Sequence, residues 1–167
     1  MKKMKAIYAL EGGIAGATAM TLIHETVKNK VPNAPRMDLL GMNALAKGLK
    51  VIGARTPNER SLYAWTLAGD IISNSLFYSF AGIGQRENAL ARGAALGLAA
   101  GLGAVLLPKP MGLNEHPGNK SIETKIMTVG LYVVGGLVAA GVMKLLARKK
   151  HRKNEDWERR LVTSSMA

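Results

Sequence analysis

Apolar residues along this chain are gathered into long blocks, and polar, proline-bearing and glycine-bearing stretches separate them. Four blocks, 6–27, 61–83, 89–107 and 126–147, reach the roughly 20 residues that a helix needs to cross a hydrocarbon layer of ~30 Å. Unpaired backbone groups are too costly in hydrocarbon for irregular chain, and the blocks are too long for the ~9–11 residues of a barrel strand, so the pattern predicts helices. The third block stops at Pro108-Lys109-Pro110, where proline removes backbone donors. The fourth stops at Arg148-Lys149-Lys150-His151-Arg152-Lys153, a stop-transfer signal. The second carries Asp70 and Asn74 in its interior, so it is expected to turn one side towards protein.

The connections add one more element. In 37–53, Leu39, Met42, Leu45, Leu49 and Ile52 recur at helical spacing, with Lys47 and Lys50 on the other side. This predicts an amphipathic helix in the first loop, lying at the membrane interface or covering the bundle. Residues 108–125 read as a surface loop and 154–167 as a polar cytoplasmic tail. The expected architecture is an all-α integral membrane protein: one membrane domain over 1–153, a four-transmembrane-helix bundle with an amphipathic interfacial helix.

Composition sharpens this reading. Aromatic residues make up only 5% of the chain, and 19 glycines recur largely inside the apolar blocks, as expected where helices pack closely in lipid. The net charge of +12 raises nucleic acid as a partner, but the cations sit at block ends, where anionic headgroups and topology account for them, and no nucleic-acid partner is expected. With no cysteine, disulfides, thiolate metal sites and Cys nucleophiles are excluded. Lys2, Lys3 and Lys5 before the first block, Arg86 and Arg92 around the third, and the cluster after the fourth place both termini in the cytoplasm. The loop from Lys28 to Arg60 conflicts with this, because it puts Lys28, Lys30, Arg36, Lys47, Lys50, Arg55 and Arg60 outside.

The candidate chemistry is sparse. Gly12 and Gly16, then Gly93, Gly97 and Gly101, and Gly135 with Ala139, put small residues on common helix faces that allow close approach, within one chain or between copies. Asp70, Ser73, Asn74 and Tyr78 form a narrow polar stripe. It reads either as an interhelical hydrogen-bond network or as a proton, ion or small-solute path centred on Asp70. His24 and Glu25 either mark the water interface or exchange protons with Asp70. Glu115 and His116 add no recognised metal-ligand spacing to them, so no metal is expected. No nucleophile elbow, phosphate-cradling loop or dinucleotide fingerprint occurs, so neither a cofactor nor a catalytic residue is expected. Arg148, Lys149, Lys150, Arg152 and Lys153 are expected to contact anionic lipid.

Gly12-Gly13-Ile14-Ala15-Gly16, continuing through Glu25 to Pro35-Arg36, resembles the first span and following Pro-Arg turn of the YagU-like inner-membrane family. The resemblance covers roughly the first fifth of the chain. It implies a multi-pass protein of the bacterial inner membrane, in a family associated with acid resistance, and carries over no catalytic residue. Together these features lead to the expectation of a non-enzymatic accessory or envelope-stress factor whose partners are the bilayer and a second copy or another membrane protein. The alternative is a small-solute or proton-coupled transporter or channel acting through Asp70.

Overall fold

A computed structural model describes the backbone of residues 4–165 and the side chains of residues 4–149. The described chain is all helical: α1 (Ala6–Val27), α2 (Met37–Val51), α3 (Glu59–Ser79), α4 (Ala89–Leu106), the single turn α5 (His116–Asn119) and α6 (Ile122–Ser165). Helices α1 and α4, together with the first part of α6 (Ile122–Lys149), are long and apolar enough to cross a membrane. Helix α3 has 21 residues, a comparable length, but Asp70, Ser73, Asn74, Ser75 and Ser79 reduce its hydropathy.

The long helices run alternately up and down in the lateral order α4, α6, α1, α3, with α6 and α1 central and little direct contact between α3 and α4. Small residues make the central contacts close. A Cβ added to Gly16 would fall on the Gly135 carbonyl oxygen of α6, and one added to Gly12 would fall on Met143 and the Ala139 carbonyl. Gly93, Gly97 and Gly101 meet α6 in the same way at Gly136, Tyr132 and Val129. Close backbone approach of this kind gains dispersion without needing large side chains. Gly13 serves a different neighbour, lying against the Ser75 carbonyl of α3, so α1 presents one small face to each adjacent helix.

The ends of the bundle differ. At one end α3 runs into a 3-10 turn, Phe80–Gly82, and Arg86 reaches across to the Lys144 carbonyl of α6 at 3.1 Å. At the other end, α2 packs on α3 and α5. There the Thr124 hydroxyl donates to the Asn33 carbonyl at 2.8 Å, and the Arg36 amide to that of Pro117 at 2.9 Å. The stretch expected to be a surface loop is therefore tied into the fold around α5.

Boundaries shift in ways that have local causes. Helix α3 begins at Glu59 because the Asn58 side chain caps it, accepting from the Ser61 amide at 2.9 Å. Helix α6 starts earlier than the apolar pattern indicated, at Ile122, where the Ser121 hydroxyl accepts from the Thr124 amide. It has 44 residues, about 66 Å at 1.5 Å per residue, so it runs unbroken through the basic cluster and the polar segment 154–165.

Candidate functional site

Where α1 ends and α2 begins, charged and hydroxyl groups converge from four successive parts of the chain. Lys28 Nζ donates to Glu25 Oε1 at 2.7 Å, to Asp38 Oδ2 at 3.3 Å and to the Tyr63 hydroxyl at 3.1 Å. The Tyr63 hydroxyl in turn donates to Glu25 Oε2 at 2.7 Å. Arg36 grips Asp38 with two prongs, Nε to Oδ1 at 3.0 Å and Nη2 to Oδ2 at 2.9 Å. Two acids and two cations thus neutralise one another while fastening α1, the following loop, α2 and α3 together. Burial opposes the charge on Asp38, but the Arg36 fork and the Lys28 ammonium outweigh it and hold the carboxyl down at about 2. Burial likewise opposes the charge on Lys28, and its bonds to Glu25, Tyr63 and Asp38 push the ammonium pKa up instead.

Behind this cluster lies a small cavity of about 50 Å³, with Thr21, His24, Thr66 and Asp70 among its lining residues. Such a volume exceeds the ~10–15 Å³ that an ordered water needs. The hydroxyls of Thr21 and Thr66 are buried with no hydrogen-bond partner in the protein, so the cavity has donors to offer. His24 is 5% exposed, and its Nε2–H donates to the Pro35 carbonyl at 3.0 Å. That bond places a proton on Nε2, and Nδ1 lies 3.7 Å from Glu25 Oε1. His24 and Glu25 therefore line one cavity with Asp70, which lies far from them in sequence.

Asp70 also lines a second, much larger cleft of about 660 Å³ between α3 and α4. Within the polar stripe most bonding stays inside α3. Asn74 Nδ2 donates to Asp70 Oδ1 at 2.9 Å and to its carbonyl at 3.0 Å, and the exposed Ser73 hydroxyl donates to that same carbonyl at 3.2 Å. Tyr78 alone among the four reaches another helix, donating to the Tyr132 carbonyl at 2.9 Å. The stripe expected to link helices divides into a local Asp70–Asn74 pair and an interhelical Tyr78 bond. Ser73 is exposed and lines the large cleft beside Asp70 and Asn74.

The remaining sequence candidates lie elsewhere. Gly12, Gly16, Gly93, Gly97, Gly101 and Gly135 are at helix contacts, with Gly135 directly beneath the Tyr78 ring. Arg148 and Lys149 are exposed on α6. Side chains of Lys150, Arg152 and Lys153 lie outside the described residues, as do Lys2 and Lys3. Among the described residues, no group of three or more His, Cys, Asp or Glu side chains is placed to share a metal ion. Sequence reasoning missed Lys28, Arg36, Asp38 and Tyr63 as a unit. The i, i+3 spacing of Glu25 and Lys28 was its one local sign. No family model matches the chain, and neither curated proteins nor solved structures give a match.

Proposed function

We propose that this chain is a four-crossing, non-enzymatic accessory protein of a bacterial inner membrane, in which α3 is the remaining crossing and Asp70 belongs to a blind site rather than a conduit. The accessory role is in envelope stress, which is what the family resemblance suggests. The observation that carries the blind-site reading is the plug beyond Asp70: Tyr78, Met20 and Met143, each under 2% exposed, fill the interior towards the 3-10 turn. Both cavities that reach Asp70 lie on the α2 side of that plug.

The outer surface of α3 supports its membrane assignment. Trp65, Ile72, Leu76 and Phe80 are 67%, 61%, 57% and 54% exposed and fall on one stripe, opposite Asp70, Asn74 and Tyr78. A stripe of that kind is costly in water and natural against acyl chains. The charge conflict of the first connection also eases. Lys28 and Arg36 are held by Glu25 and Asp38, and Lys47 donates to the Met111 and Gly112 carbonyls at 2.7 and 3.2 Å, so these cations serve the fold at the outer end. On this reading α2, only 15 residues long, lies at the outer interface. The N-terminal end of α1 and the C-terminal end of α6 are then cytoplasmic, and the basic stretch from Arg148 meets anionic lipid.

The test is reconstitution into liposomes with a proton-sensitive dye trapped inside. Wild type and Asp70→Asn are both expected to be silent under an imposed gradient. Flux through the wild type that disappears in Asp70→Asn would establish the transporter alternative instead.

A further inference from the structure

We propose that the cleft between α3 and α4 binds a lipophilic cation, an apolar molecule carrying a shielded positive charge, with Asp70 as its counter-ion. This goes beyond the accessory reading but rests on α3 being a membrane crossing, because only then does the cleft open towards hydrocarbon.

The cleft has the size and lining that such a ligand requires. At about 660 Å³ it falls within the range of small-molecule sites, roughly 300–1,000 Å³. Its α4 wall is made of Ala99, Ala100, Gly103 and Ala104, whose small side chains leave the space open. Met37 and Met111 contribute flexible, polarisable walls, and Phe77 and Tyr132 are the aromatic residues among its lining.

Charge selects the class of occupant. Asp70 Oδ1 accepts from Asn74, whereas Oδ2 takes no hydrogen bond or ion pair from any described residue. No lysine or arginine lines either cavity that reaches it. The titratable groups sharing those cavities are His24 and Glu25 of α1, Asp38 of α2, Tyr63 on α3 itself and Tyr132 of α6, with none from α4. Of these, Glu25 and Asp38 are already paired with Lys28 and Arg36, and His24 donates its Nε2 proton to Pro35. A carboxylate at mid-crossing without a resident counter-ion takes either a proton or a cation from its surroundings. A strongly hydrated inorganic ion gains nothing from the apolar and aromatic walls, whereas an organic cation uses them. Protons and ligand then compete for one carboxylate.

The experiment measures equilibrium binding of tetraphenylphosphonium to the full chain in non-ionic detergent, with triphenylphosphine oxide as the neutral control. We expect one cation per chain at pH 8, binding that weakens as the pH is lowered, and at least tenfold weaker binding in Asp70→Asn. Ala104→Phe, which fills the cleft and leaves the carboxylate, should weaken binding similarly while helicity and elution volume stay unchanged. Equal binding by wild type and Asp70→Asn, equal binding of the neutral control, or no binding at pH 8 overturns the proposal. Failure of the crossing itself reads out separately. Gly69→Cys, on an open part of α3, should resist a membrane-impermeant thiol reagent in intact vesicles, and rapid labelling there would remove α3 from the bilayer.

Discussion

The Tyr78 hydroxyl donates to the Tyr132 carbonyl at 2.9 Å, and its ring lies over Gly135, so one side chain of α3 is held both by a bond to α6 and by the space a missing side chain leaves there. The two contributions separate by mutation. Tyr78→Phe keeps the ring and loses the bond, and is expected to cost about 1 kcal/mol, the usual scale for polar contacts between membrane helices. Gly135→Leu drives a branched side chain into the ring and is expected to cost about 3 kcal/mol or more. Reversible unfolding in detergent measures both, and a larger loss for Tyr78→Phe than for Gly135→Leu would reverse the account.

The glycines divide into those that bring helices together and those that merely weaken them. A Cβ at Gly93 would strike the Gly136 carbonyl, so Gly93→Val should separate α4 from α6 and lower the melting temperature sharply. At Gly141 an added Cβ meets nothing within 4 Å, so Gly141→Ala should stabilise α6 by up to about 1 kcal/mol through helix propensity alone. Thermal melts of the two variants beside wild type decide the matter, and equal shifts would contradict it.

Asp38 gives the fold a definite acid dependence. Its folded pKa of about 2 lies below the value of ~3.9 usual for an unfolded chain, so its contribution is complete above about pH 5 and is lost as pH falls through about 2. Asp38→Asn leaves the Arg36 fork and one Lys28 bond without their charge partner, and should cost about 1–3 kcal/mol at pH 7. The gap between wild type and variant should narrow progressively from about pH 5 to pH 2. A gap that stays constant from pH 7 to pH 2 would show that charge pairing is not its source.

Topology is open to direct measurement because the chain has no cysteine of its own. On the four-crossing reading, single thiols at Asn58 and Asn114 label from outside the inner membrane, and one at Glu87 labels only after the membrane is opened. Labelling of Asn58 and Glu87 from the same side would mean that α3 does not cross.

The sequence alone was sufficient for the helical character and for approximate helix limits, because block length, proline placement and helical periodicity are local properties of a chain. It located α1 to the residue, and it located the amphipathic helix α2 within its first connection. It could not say which side of that helix meets the bundle. Leu39, Met42 and Leu45 were the expected apolar face, yet Met37, Leu40, Gly41 and Ala44 line the cleft with α3 and α4. Gly12 and Gly16 were legible as a close-packing pair from their spacing, while Gly13 had no such sign and found its role only through Ser75 of α3. The same holds for Asp70. Its stripe was visible along one helix, but its position between a small cavity shared with His24 and a mostly apolar cleft beside α4 arises from the lateral order of the helices. That order depends on which surfaces of several helices fit together at once, and such a fit is a property of pairs of surfaces that no single stretch of sequence contains.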